Sequence, residues 1–175
     1  MNVHQAKVCL LGDFAVGKTS LVRWFIEGRF DDRYLSTIGV KISRKSIERC
    51  SHVLSLILWD LAGGGSFTRY QPSYLRGASA GLIVCDLTRR DTLDSLPRYA
   101  EALREVNPQA AAVFIANKVD LVDQREISAE ALEDQANALG GVPFLTSAKT
   151  GEGVEQAFIA LAQAIEARHD LLPFP

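Results

Sequence analysis

The sequence predicts an α/β domain built on a six-stranded, mostly parallel sheet flanked by about five helices. Two observations support this fold class. Short apolar runs of β-forming residues alternate with amphipathic stretches of helical length, a pattern typical of βα crossovers. The chain has 175 residues, of which 47% are hydrophobic, so it is long enough to bury one core of its own.

The predicted strands are of two kinds. Five apolar runs indicate buried strands, and they are Ala6–Leu11, Val53–Trp59, Gly81–Asp86, Ala111–Asn117 and Val142–Leu145. A further strand, Val40–Arg49, alternates polar and apolar residues and is joined to the next one by the polar turn 49–52. We expect this pair to form an antiparallel hairpin at one edge of the sheet.

The stretches between the strands predict the helices. They are Lys18–Glu27, Phe67–Arg76, Asp91–Val106, Ser128–Leu139 and Val154–Arg168. No repeat or linker divides the chain, so we expect one domain over residues 1–170. The tail 171–175 contains two prolines, which cannot continue a helix.

Composition narrows the possible partners and compartments. The formal charge of -2 and the absence of a dense basic block argue against nucleic acid as a partner. The three cysteines show neither a disulfide framework nor the spacing of a metal site, which favours a reducing cytoplasm. The N-terminus lacks the apolar run of a signal peptide, and no later segment is apolar enough to span a bilayer.

The segment from Gly12 to Thr19 matches GxxxxGK[ST] and lies between a predicted strand and a predicted helix. In such a loop, backbone N–H groups surround phosphates, the lysine reaches the terminal phosphates, and the hydroxyl residue ligates magnesium. The candidate nucleotide-binding residues here are Asp13, Phe14, Ala15, Val16, Gly17, Lys18, Thr19 and Ser20. This motif alone leaves kinases and ATPases open.

Two later tetrapeptides favour guanine. Asn117-Lys118-Val119-Asp120 follows an apolar strand, at the sheet edge where ligands bind. The Asp120 carboxylate can accept hydrogen bonds from the ring N–H and the exocyclic amine of guanine, which adenine does not offer in that arrangement. Residues 146–149, with sequence TSAK, follow the last strand and can present a backbone N–H to the guanine oxygen. Each tetrapeptide alone is compatible with a solvated turn, but both in this order favour a guanine site.

These motifs together resemble those of Ras-like GTPases over essentially the whole chain. The matching segments are GDFAVGKTS, YLSTIGV, WDLAG, YLRGA, NKVD and TSAKTGEGV, and STIGV, WDxAG and YLRGA are most similar to the Rab branch. The resemblance implies a P-loop NTPase G domain with GTP or GDP and Mg²⁺ as ligands. It also implies a molecular switch with GTPase activity.

The resemblance implies a role for individual residues. Lys18 would contact the β and γ phosphates, Thr19 and Thr37 would ligate Mg²⁺, and Asp60 would hold it through water. Gly63 would offer its N–H to the γ-phosphate, while Phe30 and Tyr34 would border the nucleotide. The residues that would frame guanine are Asn117, Lys118, Asp120, Ser147, Ala148 and Lys149.

Residues 31–39 and 60–74 would be the two switch loops, because Thr37 and Gly63 would both respond to the γ-phosphate. Effector, exchange and activating proteins would bind through residues 31–42 and 59–76. Trp59 and Tyr74 match an apolar effector patch of Rab proteins, with Ile42 where an aromatic residue is usual. Ordinary core packing is an equally good interpretation of the two aromatic residues.

Two departures concern catalysis. Gly64 stands where the family usually has a Gln that orients the attacking water, and Phe14 is bulky where Gly or Ser is common. Lys18, Thr37, Gly63 and Gly64 are the candidate catalytic positions, and we expect slow hydrolysis. A partner, Arg69 or Gln71 could supply the missing group. The alternative is a binding module that hydrolyses GTP negligibly. Phe14, Gly64 and Gly65 favour this alternative.

Membrane attachment has no signal in this sequence. The C-terminal residues LLPFP contain no cysteine to prenylate, and Asn2 replaces the glycine that myristoylation needs. Two explanations stay open: a truncated C-terminus, or a prokaryotic setting in which Rab-like GTPases work without lipid anchors.

Overall fold

A computed structural model of the protein describes residues 2–33, 36–64 and 72–168. The predicted sheet is confirmed: six strands follow the order β2-β3-β1-β4-β5-β6, with every neighbouring pair parallel except the β2/β3 hairpin. The strands are β1 (Asn2–Gly12), β2 (Val40–Glu48), β3 (His52–Leu61), β4 (Ala78–Asp86), β5 (Ala111–Asn117) and β6 (Val142–Leu145).

Helices cover both faces of the sheet. They are α1 (Lys18–Glu27), α2 (Arg90–Asp94), α3 (Leu96–Val106), α4 (Ala129–Ala138) and α5 (Val154–Arg168), with a short 3-10 helix at Val122–Gln124. None of these helices combines the length and the apolar character needed to cross a bilayer.

Several predicted boundaries were wrong. The helix predicted over Asp91–Val106 is two helices that meet at Ser95, because Pro97 lacks an N–H and fits only the first turn of a helix. Strand β1 starts at Asn2 rather than Ala6, since its polar first residues pair with β3. Asp60 and the next residue extend β3, so the second predicted switch loop starts two residues later than expected.

Other predictions fall partly or wholly outside the described residues. Residues 72–75 are helical, but the rest of the predicted helix Phe67–Arg76 includes undescribed positions. Tyr34, Gly65, Arg69, Gln71 and the tail 171–175 also lie outside the described residues. The division into a domain at 1–170 and a tail therefore stays a prediction.

The alternation of side chains along the strands divides the core into two layers. Leu10 of β1 belongs to a cluster that includes Leu21 of α1 and Phe158 of α5. Its neighbour Leu11 belongs to a second cluster, which includes Tyr99 of α3. Because both faces of the central strands are buried, the polar groups at the strand ends gather along one edge of the sheet.

Candidate nucleotide-binding site

A cavity of about 410 Å³ opens at the carboxyl ends of the parallel strands. Most of the predicted nucleotide-binding residues line it, although they come from five distant parts of the chain. They are Phe14, Ala15, Gly17, Lys18, Thr19, Ser20, Phe30, Thr37, Gly63, Asn117, Lys118, Asp120, Ala148 and Lys149. The sequence did not single out six further lining residues, which are Arg23, Asp31, Asp32, Arg33, Leu61 and Leu121.

The loop between β1 and α1 requires glycine at both ends. Gly12 has φ +148°, and a Cβ there would lie 2.3 Å from the carbonyl oxygen of Val84. Gly17 has φ +104°, and a Cβ there would lie 2.1 Å from Nδ2 of Asn117. Because the loop lies this close to the strand ends, both space and backbone conformation require glycine at these two positions.

Lys18 is a buried cation that faces this cavity. Its Nζ donates to the carbonyl oxygens of Gly12 at 2.8 Å and Asp13 at 2.9 Å. Burial lowers the pKa of Lys18 to about 8, against the opposing effect of the Asp60 and Asp13 carboxylates. A buried ammonium bonded to neutral carbonyls attracts an anion at the cavity more strongly than an exposed one would.

Three oxygen-bearing side chains meet beside Lys18. The Thr19 hydroxyl donates to Oδ2 of Asp60 at 2.5 Å and lies 2.7 Å from the hydroxyl of Thr37. Oδ1 of Asp60 is buried without a hydrogen-bond partner among the described residues, and burial raises the pKa of this carboxyl group. Hydroxyl and carboxylate oxygens with an unsatisfied carboxylate atom fit a hard cation such as Mg²⁺.

Asn117 joins the phosphate loop to the two loops that follow β5 and β6. Its Nδ2 donates to the carbonyl oxygen of Val16 at 3.0 Å. Its Oδ1 accepts from the Thr146 hydroxyl and from the backbone N–H of Ala148, both at 3.1 Å. All three contacts are buried, so the Asn117 amide links the phosphate loop to the loop after β6 in the interior of the protein.

Asp120 is oriented by the second predicted guanine motif. The Ser147 hydroxyl donates to Oδ1 of Asp120 at 2.7 Å and accepts from the backbone N–H of Thr150 at 3.1 Å. Asp120 lines the cavity while Ser147 does not. Ser147 is thus placed to fix the carboxylate rather than to contact a ligand.

Asp86 connects two sides of the site and was not among the residues predicted for it. Oδ2 of Asp86 lies 2.7 Å from Nζ of Lys118 and 3.3 Å from Nε of Arg89. Arg89 also donates to the carbonyl oxygen of Phe14 at 2.7 Å. Although burial opposes it, hydrogen bonds from Lys118 and Thr88 lower the pKa of Asp86. Its position at the carboxyl end of β4 was the available signal.

Three of the predicted residues do not line the cavity, and a fourth lies outside the described residues. The Asp13 side chain contacts α3 and does not line the cavity. Val16 is fully buried in the core, so only its backbone is available to the site. Ser147 acts on Asp120 as described, and Tyr34 lies outside the described residues.

The two glycines that follow β3 lie on the phosphate loop. A Cβ at Gly63 would be 2.4 Å from the carbonyl oxygen of Gly12 and 2.7 Å from Nζ of Lys18. Gly64 has φ +77°, and a Cβ there would be 3.7 Å from Cβ of Phe14. A side chain at position 64 would therefore start beside Phe14, which is 51% exposed.

Trp59 of the predicted effector patch lies close to the two other residues of that patch, Tyr74 and Ile42. The rings of Trp59 and Tyr74 are 6.3 Å apart at their centroids, and Nζ of Lys7 lies 3.7 Å from the Trp59 ring centroid. Ile42 pairs with Trp59 across the hairpin and is 54% exposed. Trp59 and Tyr74 are partly buried and pack against the core cluster that contains Tyr99, so core packing accounts for part of each side chain. Their role in binding effectors stays a prediction.

Comparison with known proteins gives a consistent result. The Ras family model matches residues 7–167. Human Ras-related protein Rab-22A is 35% identical over 174 residues, which cover 99% of this chain and 90% of that protein. Mouse Ras-related protein Rab-31 is 34% identical over 94% of this chain and 85% of that protein. Arabidopsis thaliana Ras-related protein RABD1 is 37% identical over 93% of this chain and 80% of that protein.

Proposed function

This chain belongs to the Ras family and is a Rab-like small GTPase that binds GTP, and we propose that it is a slow guanine-nucleotide switch. The observation that carries the proposal is an otherwise complete cavity with glycine at position 64. The groups that would bind phosphates and base are present, whereas the side chain that would orient the attacking water is absent.

The nucleotide would lie along the carboxyl ends of the strands. Its phosphates would contact Lys18 and the backbone N–H groups at the start of α1, where the helix dipole also favours negative charge. Its base would meet Asp120, which Ser147 orients through a 2.7 Å hydrogen bond. Asn117 supports both ends because it bonds to Val16 of the phosphate loop and to the loop after β6.

Members of this family bind Mg²⁺ with the nucleotide, and Thr19, Thr37 and Asp60 are the residues that would hold it here. The short contacts among their oxygens and the unpaired Asp60 Oδ1 support that assignment. When bound, Mg²⁺ neutralises charge on the phosphate oxygens. It usually relies on one or two carboxylates together with substrate phosphates, which agrees with a site that has one carboxylate.

The switch would work through Thr37 and Gly63, which come from different segments and lie beside Thr19 and Lys18 of the phosphate loop. Loss of the γ-phosphate would release both, and it would change the surface formed by residues 31–42 and 59–76. Effector, exchange and activating proteins would bind there. Ile38, which is 92% exposed, and Ile42 supply apolar surface for such a partner.

Hydrolysis would depend on charge stabilisation alone. Lys18 and the Gly63 N–H can stabilise developing negative charge on the phosphate oxygens. Position 64 has no side chain, and its φ of +77° is one that other residues adopt only at a cost. The expected consequence is slow turnover of bound GTP.

Replacing Gly64 by Gln tests this proposal, with Gly64→Ala as the matched control. Both variants pay the same backbone cost of about 1 to 2 kcal/mol at φ +77°, but only Gln adds an amide. Single-turnover hydrolysis of preloaded GTP is measured for all three proteins. We expect Gly64→Gln to be about ten- to a hundredfold faster than Gly64→Ala. Equal rates in the two variants would show that water orientation at this position does not limit turnover.

The second candidate function is a binding module that hydrolyses GTP negligibly. The half-exposed Phe14 side chain beside Gly64 favours it, because the ring would obstruct a catalytic group that approaches from a partner. Identification of the nucleotide that copurifies separates the candidates. Mostly GTP, together with no phosphate release in a single turnover, would support the binding module.

A further inference from the structure

Several carbonyl oxygens of the phosphate loop accept hydrogen bonds from side chains of the predicted motifs. They are the oxygens of Gly12 and Asp13, bonded to Lys18, and that of Val16, bonded to Asn117. The carbonyl oxygen of Phe14 differs, because it accepts from Nη2 of Arg89 at 2.7 Å. Arg89 belongs to none of those motifs and lies in the loop between β4 and α2.

The Arg89 guanidinium is held at both ends. Its Nε lies 3.3 Å from Oδ2 of Asp86, while Nη2 donates to the Phe14 carbonyl oxygen. Asp86 is itself well fixed, since it is 1% exposed and its Oδ1 accepts from the backbone N–H and the hydroxyl of Thr88 at 2.9 and 2.7 Å. The Arg89 side chain is 36% exposed and is not among the residues that line the cavity, so it reaches the loop from outside.

This hydrogen bond sets the direction of one N–H group in the loop. No cis peptide occurs among the described residues, so the N–H of Ala15 points opposite to the C=O of Phe14 in the peptide group that they share. The carbonyl oxygen points to Arg89, outside the cavity, whereas Ala15 lines the cavity. The Ala15 N–H is therefore directed to the side where phosphate would bind, as backbone N–H groups are in phosphate-binding loops.

The backbone at Ala15 needs support from outside the loop. Its φ is +61°, a left-handed conformation that a residue with a Cβ adopts only at a cost. A rotation of the preceding peptide group would turn the N–H away from the cavity, and the bond from Arg89 opposes that rotation. Arg89 thus stabilises a conformation that the residue type at position 15 does not favour.

We propose that Arg89 is a positioning residue for nucleotide binding: held by Asp86, it fixes the Phe14 carbonyl group and so keeps the Ala15 N–H directed at the phosphates. This inference rests on the proposed function, in which the phosphate loop binds the phosphates of a guanine nucleotide. Asp86 retains its contacts with Lys118 and Thr88 when Arg89 is replaced, so the part of the site that binds the base should be unaffected.

The test measures binding of GDP and of guanosine, which has no phosphate, to Arg89→Met. This variant keeps most of the side chain's length and removes both donors. Fluorescent GDP gives one dissociation constant directly and, by competition, that of guanosine. We expect GDP to bind about three- to tenfold more weakly, the size expected for one hydrogen bond, and guanosine to change less than twofold. Arg90→Met is the matched control, because it removes the neighbouring arginine, which pairs with Asp94 at 3.5 Å, and it should change neither constant.

A repeat of the GDP measurement in about 1 M salt separates positioning from attraction by the charge of Arg89, because salt screens the attraction and leaves the backbone geometry in place. The weaker binding of Arg89→Met should persist there. A loss that disappears in salt, an equal loss for guanosine, or unchanged GDP binding would overturn the inference. Wild-type protein that does not bind GDP would instead overturn the proposed function. If Arg89→Met does not fold, Arg89→Ala replaces it, with the same expected results.

Discussion

Replacing Asn117 by Ala should destabilise the protein even when no nucleotide is bound. The substitution removes three buried hydrogen bonds, to Val16, Thr146 and Ala148, of 3.0, 3.1 and 3.1 Å. At about 1 to 1.5 kcal/mol for each bond, the free energy of unfolding should fall by about 3 to 4.5 kcal/mol. Guanidinium unfolding of the nucleotide-free protein, prepared with a chelator, measures this loss without any contribution from weaker binding.

The control for this prediction is Asn137→Ala, which changes an exposed asparagine on α4 and should shift the free energy of unfolding by less than about 0.5 kcal/mol. An Asn117→Ala variant as stable as wild type without nucleotide would refute the reasoning, because Asn117 would then act only on the ligand. A double variant with Gly17→Ala adds a second check. The added Cβ would lie 2.1 Å from Nδ2 of Asn117, so removing that amide should make the combined loss smaller than the sum.

Two further predictions concern groups away from the site. In the native protein at pH 8, only the exposed Cys50 should react rapidly with a thiol reagent, because burial raises the pKa of Cys9 and Cys85 to about 12 and leaves about one thiolate in 10⁴. More than one fast equivalent would contradict this, and denaturant should expose all three. Glu166→Gln should lower the free energy of unfolding by about 1 to 2 kcal/mol, since it breaks a paired contact of 2.7 and 2.9 Å to Arg49, whose side chain is 25% exposed. Guanidinium unfolding checks it against Glu155→Gln, on the exposed face of the same helix, and equal stability of the two would refute it.

The sequence predicted the parts of this molecule that are local in the chain. The phosphate loop and both guanine motifs occupy consecutive residues at strand ends, so pattern and spacing were enough to bring their cavity residues together. The break at Ser95 was also visible locally, in Pro97, but the amphipathic pattern across it outweighed that signal. A helical period alone does not distinguish one helix from two that meet end to end.

The rest depended on contacts between distant residues. Asp86 and Lys118 are 32 positions apart, and nothing in either segment indicates that they form an ion pair. Asp13 and Tyr99 are 86 positions apart, and a tyrosine in an amphipathic helix is ordinarily expected to pack in the core. Tyr99 does so through its ring, while its hydroxyl donates to Asp13 of the phosphate loop, a contact that periodicity cannot reveal.

The order of the strands leaves β2 and β6 at the two margins of the sheet, where unpaired backbone groups could recruit a strand from another molecule. The two margins discourage this by different means. Strand β2 carries the exposed charged residues Lys41, Arg44 and Glu48, which resist burial against a second chain. Strand β6 has only four residues, and one of them is Pro143, which has no N–H to donate. Resistance to aggregation through strand addition is thus built into both ends of the sheet.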